Sequence, residues 1–323
     1  MVYTSVMGCV GRTPLVELRR QFPPPGPVVF AKLELMNPSG SMKDRSARYI
    51  VERGLSDGSI TPRSHLVEST SGNFGIALAM TARVYELALT CVVDPKTTPT
   101  NLRILRSLGA RVELVAEPDE HGCYLESRLR RVGELCRALP DAVWVNQYAN
   151  QLNWQAHYHG TGAEILADVD RPLDCLVVPV STTGTILGLA RRLRHAFPAL
   201  RVVAVDAEGS VIFGGLPGPR HLPGLGAGRL PELLAPEEID EVVYVSDREA
   251  AAACRALATS EGILAGGSSG AAVVAVSRIR PELAAESCVL TVLPDRGDRY
   301  LELVFDDAWV EALPCAHPVP TSR

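Results

Sequence analysis

A lysine acts as a nucleophile or a base only when it is neutral, and the sequence places one where neutrality is favoured. In Asn37-Pro38-Ser39-Gly40-Ser41-Met42-Lys43-Asp44-Arg45 a turn-forming cluster ends a predicted strand, and a helix begins at or near Lys43. A lysine there lies by the positive end of the helix dipole and by backbone N–H groups that lack partners. Both disfavour the ammonium form, and attack on a carbonyl carbon needs the neutral amine. A solvated lysine in a first helical turn would fit the same spacing.

Four further stretches carry groups suited to anions or flat ligands. Ser69-Thr70-Ser71-Gly72-Asn73 follows a strand and opens a helix, so its hydroxyls and backbone N–H groups suit a carboxylate or a phosphate. Ser, Thr and Asn are equally the preferred helix caps. Ser181-Thr182-Thr183-Gly184-Thr185 gathers four hydroxyls around one glycine between a strand and a helix, which makes a phosphate cup; capping is again the alternative. It does not end in Gly-Lys-Ser/Thr as a nucleotide-phosphate loop does. In Gly266-Gly267-Ser268-Ser269-Gly270-Ala271 the glycines permit close backbone approach to a flat ligand, and a serine can hydrogen-bond a ring nitrogen. A flexible turn with a serine cap fits these residues too. Pro294-Asp295-Arg296-Gly297-Asp298-Arg299-Tyr300 follows the last core strand, where a charged surface turn is the alternative.

The elements that must position these stretches alternate along the chain. Predicted strands are Val28–Leu35, His65–Glu68, Leu87–Val93, Arg111–Val115, Ala142–Asn146, Asp174–Val180, Arg201–Asp206, Glu241–Val245 and Val289–Leu293. Predicted helices are Lys43–Gly54, Asn73–Tyr85, Pro99–Leu108, Tyr124–Leu139, Trp154–Leu166, Thr185–His195, Asp247–Glu261 and Ser269–Arg280. Near-continuous apolar strands such as Cys175–Val180 suit a parallel sheet covered on both faces, and the alternation argues for α/β architecture. Ligands of open α/β sheets bind beyond the carboxyl ends of the strands. Four of the five stretches sit at predicted strand ends, which points to one shared crevice. Gly214–Gly228 reads as a long loop, and the tail Pro314–Arg323 as poorly ordered.

Composition narrows the function classes. The 323 residues are 46% hydrophobic and 21% charged, which suits a soluble globular protein with a substantial core. A net charge of −5 gives no electrostatic case for nucleic acid. No run of apolar residues is long enough to cross a membrane, and Met1–Leu18 lacks the pattern of a signal peptide. The eight cysteines are scattered, with no CxxC pair and no Cys/His cluster at zinc spacing. Free thiols in a reducing cytoplasm, and no metal site, are the expectation.

Taken in order, these stretches resemble the cysteine synthase and cystathionine β-synthase family of fold-type II pyridoxal-phosphate enzymes. The matching segments are Gly11-Arg12-Thr13-Pro14-Leu15-Val16, Pro38 to Arg45, Thr70 to Asn73, Gln147 with Thr161-Gly162-Ala163-Glu164-Ile165, Ser181 to Thr185, Gly266 to Ala271 and Pro294 to Tyr300. The resemblance implies a tryptophan synthase β-like α/β fold of two open twisted sheets with flanking helices. It implies a large cofactor-binding domain of residues 1–45 and 151–323, a small mobile substrate domain of residues 46–150, and a homodimer. The cofactor implied is pyridoxal 5'-phosphate, held by Lys43, which also moves the substrate α-proton. Asn73 would meet its ring hydroxyl, Ser181, Thr182, Thr183, Gly184 and Thr185 its phosphate, and Ser268 its pyridine nitrogen. Thr70, Ser71, Gly72 and Gln147 would hold the substrate carboxylate. A serine at the ring nitrogen need not keep that nitrogen protonated, which is thought to favour β-elimination and replacement.

Departures from ordinary cysteine synthases concern substrate choice. Their phosphate loop is usually Gly-Thr-Gly-Gly-Thr, their substrate loop ends Asn-Thr-Gly, and their glutamine is followed by aromatic-Xaa-Asn-Pro. Here the corresponding residues are Ser181 to Thr185, Phe74 in place of the threonine, and Tyr148-Ala149-Asn150-Gln151, while Gly122 to Arg128 adds an arginine. These features resemble the branch of the family that joins O-phosphoserine to glutamate on the way to 2,3-diaminopropionate, in siderophore and peptide-antibiotic biosynthesis. A phosphate leaving group needs a guanidinium or hydroxyl cluster, and Arg128, Tyr148 and Ser181 are the candidates. Arg128 shares its helix with Arg130 and Arg131, so a solvated face is its alternative; core packing is that of Phe74. Two other functions fit less well. One is a cysteine synthase using O-acetylserine or O-phosphoserine with sulfide. The other is a non-catalytic regulatory relative that binds a partner peptide, against which the intact Lys43 and cofactor contacts argue.

Overall fold

The computed structural model describes residues 2–70, 72–119 and 124–314. Its strands are β1 (Leu15–Glu17), β2 (Val28–Leu33), β3 (His65–Ser69), β4 (Ala88–Val93), β5 (Arg111–Leu114), β6 (Ala142–Trp144), β7 (Cys175–Pro179), β8 (Arg201–Ala207), β9 (Glu241–Val245) and β10 (Cys288–Leu293). Its α-helices are α1 (Lys43–Asp57), α2 (Asn73–Val84), α3 (Pro99–Ser107), α4 (Tyr124–Ala138), α5 (Leu152–Ala156), α6 (Gly162–Asp168), α7 (Gly184–Arg194), α8 (Asp247–Glu261), α9 (Gly267–Ile279) and α10 (Asp307–Ala312).

The strands form two sheets, as expected. One has the order β1-β2-β10-β7-β8-β9 and the other β5-β4-β3-β6. Every pairing is parallel except β1 with β2, where Val16 faces Ala31. In β7 and β10 every residue is buried, because helices cover both faces and both side-chain sets of the pleat must then be apolar. On one face α9 packs on β7 and β10, contributing Ala271, Ala275 and Val276 to a core with Val177, Val203 and Val289. On the other, Ile186, Leu189 and Leu193 of α7 meet Leu176, Val178, Val202 and Leu290. The smaller sheet has its own core, in which Ile50 and Val51 of α1 and Ile76, Leu78 and Ala79 of α2 lie with Leu66 and Leu89.

Two departures from the sequence reading have physical reasons. The continuous helix expected at Trp154–Leu166 is instead α5, a π-helical turn at His157–Thr161, and α6. Gly188 of α7 presses against this segment so closely that a Cβ there would lie 2.3 Å from the Trp154 carbonyl oxygen. The wider turn places His157 inside, bonded to Thr161 and Thr185. The short strand β1 and helix α10 carry too few residues to show a period. Residues 208–235 form a long loop between β8 and the 3-10 turn at Pro236–Glu238. The tail from residue 315 onward lies outside the described residues. Among the described residues no helix is long and apolar enough to cross a membrane.

Candidate active site

The segments that follow β3, β6, β7 and β10 open on one cavity, and the start of α9 completes its wall. All five stretches singled out in the sequence contribute to it. Lys43, Thr70, Gly72, Asn73, Ser181, Thr182, Thr183, Thr185 and Ser268 line it, as do Gln147, Arg128 and Tyr148. Ser71 lies outside the described residues. Gly184 does not face the cavity; its Cα abuts Asn153, and a Cβ there would come within 2.7 Å of the Asn153 carboxamide carbon.

Lys43 is the first residue of α1 and reaches into the cavity among protein groups. Burial pushes its amine down to about 8, against the opposing charge of Asp295. The helix behind it is anchored two residues on. Arg45 forks onto Glu34 with bonds of 2.6 and 2.7 Å and onto Glu164 with bonds of 2.6 and 2.7 Å. Lys32 lies 3.1 Å from the same Glu164. This network explains the Gly11-Arg12-Thr13 motif. Gly11 takes φ +88°, and a Cβ there would lie 2.8 Å from Glu164 Oε1; Arg12 donates its backbone N–H to that oxygen at 2.9 Å, and Thr13 donates its hydroxyl to Glu34 at 2.7 Å.

The loop after β7 turns into α7 through Thr183, which holds a left-handed φ of 62°. No side chain caps this helix, so its first N–H groups are available to an anion. Asn153 steadies the loop by donating Nδ2–H to the Gln147 carbonyl at 2.8 Å and to Thr182 Oγ1 at 3.3 Å. Beneath it the buried His157 spans Thr161 Oγ1 at 3.0 Å and Thr185 Oγ1 at 3.2 Å. Burial holds the His157 ring well below its ordinary value, and the charges of Lys43 and Arg45 act the same way, so the ring is neutral.

Ser268 is the second residue of α9 and almost buried, with its hydroxyl at the cavity wall. Beside it Asp295 is buried, with Oδ1 lacking a hydrogen-bond partner and Oδ2 accepting from Asn73 Nδ2 at 2.7 Å and from the Tyr300 hydroxyl. Burial raises the Asp295 carboxyl, and its bonds to Tyr300 and Asn73 oppose the rise.

Arg128, Tyr148, Thr98, Asn101 and Phe74 also line the cavity. Arg128 separates from its neighbours on α4. Its side chain is 12% exposed and its Nε lies 3.3 Å from Asp94, whereas Arg131 pairs with Glu113 and Glu134 at the surface. Burial raises the Tyr148 phenol, and the nearby Arg128 opposes the rise. Phe74 does both things considered for it, since it lines the cavity and packs in the smaller core.

Sequence reasoning passed over several residues. Thr98 caps α3 and precedes Pro99, a standard helix start, but nothing in that signal said which cavity it meets. Asp94 and Glu68 act through Arg128 and Gln147, 34 and 79 positions away, and Asn153 and His157 also reach Thr182 and Thr185, 29 and 28 positions away, which no local pattern reveals.

The donor set fits pyridoxal phosphate. An amine poised near neutrality stands within reach of a cavity that also offers an uncapped helix start ringed by threonine hydroxyls, a serine hydroxyl and the Asn73 amide. The close packing of Gly266 and Gly267, where a Cβ would fall 2.3 Å from Asp295 and 2.8 Å from Leu222, lets the α9 backbone approach the cavity.

Comparisons with known proteins agree with this fit. A curated relative, N-(2-amino-2-carboxyethyl)-L-glutamate synthase of Ralstonia nicotianae (strain ATCC BAA-1114 / GMI1000), is 56% identical over 310 residues, covering 96% of this chain and 92% of that protein. The O-acetylserine dependent cystathionine beta-synthase of Helicobacter pylori superposes with a TM-score of 0.87 at 36% identity, covering 94% of this chain and 98% of that one. An O-ureido-L-serine synthase superposes equally well, with a TM-score of 0.87 at 32% identity over 97% of this chain and 100% of that one. The family described as pyridoxal-phosphate dependent enzyme matches residues 6–295, and the chain belongs to that family.

Proposed function

We propose that this enzyme joins O-phospho-L-serine and L-glutamate to give N-(2-amino-2-carboxyethyl)-L-glutamate and phosphate, a β-replacement on the route to L-2,3-diaminopropionate. The observation that carries this reading is Arg128 in the cavity wall with Tyr148 and Ser181, in the same cavity as Lys43. The 56% identity to a synthase of that product supports it.

Bound in the cavity, pyridoxal phosphate supplies the electron sink that lets the α-proton of an amino acid leave. The chain's residues do the rest. Thr183, Thr185 and the start of α7 hold the cofactor phosphate, Asn73 its ring oxygen and Ser268 its ring nitrogen. Thr70, Gly72 and Gln147 hold the substrate carboxylate, with Ser71 completing that loop in the sequence. Lys43 takes the α-proton on Nζ and returns it after the nucleophile has added. The β-carbon–oxygen bond breaks, phosphate leaves with the bonding pair toward Arg128, Tyr148 and Ser181, and the glutamate amine forms the new carbon–nitrogen bond and loses a proton. Arg128 is suited to the phosphate because its planar, permanently charged fork can bind two oxygens at once.

Residues 46–150 are proposed to be the mobile substrate domain, and the working unit is proposed to be a homodimer. The exposed Met36, Leu264 and Leu301 around the 296–301 turn are apolar surface of the kind a subunit contact covers. Sedimentation at equilibrium tests the dimer.

The direct test of the phosphate reading is Arg128→Ala. The KM for O-phosphoserine should rise at least about tenfold, the size of a lost charge-assisted contact. An unchanged KM contradicts it.

A further inference from the structure

Arg299 has no part in this scheme, although it faces the cavity from the turn after β10. Its two terminal nitrogens reach two different segments. Nη1 donates to Asn73 Oδ1 at the start of α2, and Nη2 donates to the carbonyl of Ser39, in the loop that leads into Lys43. The first contact crosses from the six-stranded sheet to the helix that follows β3 of the four-stranded sheet. On its opposite side the Asn73 amide donates Nδ2–H to Asp295 Oδ2 at 2.7 Å.

A guanidinium can only donate hydrogen bonds, and Asp295 Oδ2, which already accepts from the Tyr300 hydroxyl, stands as an acceptor toward Asn73. With one on each side, the Asn73 amide has a single compatible orientation, oxygen to Arg299 and nitrogen to Asp295. Turned over, its NH2 would meet donors and its oxygen would meet the carboxylate. Nδ2 carries two hydrogens; one goes to Asp295, with the Tyr300 hydroxyl beside it, and the second can turn to a ligand in the cavity.

We propose that Arg299, together with Asp295, is a positioning residue that locks the Asn73 amide so that this N–H is presented to an oxygen of the cofactor ring. The inference rests on the role given to Asn73 above. It also makes one guanidinium the tie between the two segments, at Ser39 and at Asn73, that carry the cofactor-facing amine and amide.

The test compares wild type, Asn73→Ala, Arg299→Gln and Arg299→Lys as purified proteins without substrate. The readouts are the absorbance spectrum of bound pyridoxal phosphate and its dissociation constant. Arg299→Gln should shift the balance between the yellow and near-ultraviolet bands in the same direction as Asn73→Ala, and weaken cofactor binding about tenfold, the size of one lost charge-assisted hydrogen bond. Arg299→Lys keeps a cation that can reach one of the two oxygens and should fall between. Wild-type spectra and affinities in both Arg299 variants, with Asn73→Ala altered, overturn the proposal and leave the role of Asn73 standing. An unaltered Asn73→Ala removes both. If Arg299→Gln does not fold, Arg299→Lys carries the comparison. A lowered unfolding temperature of the cofactor-free variant with an unchanged spectrum would mark a purely structural tie, which also overturns the proposal.

Discussion

Glu68 accepts the backbone N–H of Gln147 at 3.2 Å, across 79 positions of chain, while its other oxygen accepts the N–H of Ser69 at 2.8 Å. The carboxyl stands where β3 and β6 part, fully buried, and so sets the spacing between the loop that begins at Thr70 and the turn that carries Gln147. Burial pushes it up to about 8, against the pull of these N–H donors. Each oxygen accepts one of these N–H groups, the protonated one through its remaining lone pair, which an amide NH2 does not offer.

Glu68→Gln replaces one acceptor with an NH2 group that faces a backbone donor. The variant should lose about 1–3 kcal/mol of stability in urea unfolding, the cost of an unsatisfied buried group. The KM for O-phosphoserine should rise more than kcat falls, because the carboxylate-holding segments lose their spacing while Lys43 keeps its place. Equal loss in kcat with an unchanged KM would speak against this role.

Lys43 gives a pH dependence for cofactor capture. A neutral amine is the reactive form, and burial brings its titration to about 8 from 10.5. At pH 7 roughly one molecule in ten then carries the neutral amine, against well under one in a thousand for an ordinary lysine. The rate at which cofactor-free protein turns yellow on addition of pyridoxal phosphate should therefore rise with pH, reach half its plateau near pH 8 and level off above about pH 9. A rate still climbing beyond pH 9.5 would show an unshifted lysine.

His157 gives a pH dependence for stability. Its folded-state value lies well below 6.5 through burial, whereas the unfolded chain takes up a proton near 6.5. Below that pH the unfolded state binds a proton that the folded state refuses, so the histidine's contribution is present above pH 6.5 and lost as the pH falls, by up to ~1.4 kcal/mol per unit. His157→Gln can keep both threonine contacts without titrating. Urea unfolding at pH 7.5 and 5.5 should show the wild type losing about 1 kcal/mol more than the variant between the two. Parallel losses would contradict a neutral buried ring.

The chemistry of the site was more legible in the sequence than its supports. Lys43, Ser181 to Thr185 and Ser268 stand at strand-to-helix or turn-to-helix junctions, where composition itself reports an exposed backbone and a helix start. The parallel strands were legible because burial on both faces leaves unbroken apolar runs, as in β7 and β10. The residues that orient the site were not legible. Asn153 works through a carbonyl and a hydroxyl, Asp94 through an arginine 34 positions away, and His157 through a π-helical turn packed against Gly188. Each depends on a contact that exists only in the folded chain. Arg128 could not be told from its surface neighbours Arg130 and Arg131 until the orientation of α4 was known.

The central claim is that glutamate is the nucleophile and phosphate the leaving group. Purified protein loaded with pyridoxal phosphate would be given O-phosphoserine, followed by glutamate or sulfide in parallel, with the cofactor spectrum, released phosphate and product mass recorded. The expected result is a spectral change with O-phosphoserine, reversal by glutamate but not by sulfide, and one phosphate released for each molecule of the glutamate adduct. Reversal by sulfide alone, with cysteine as the product, would contradict it and make the protein a cysteine synthase.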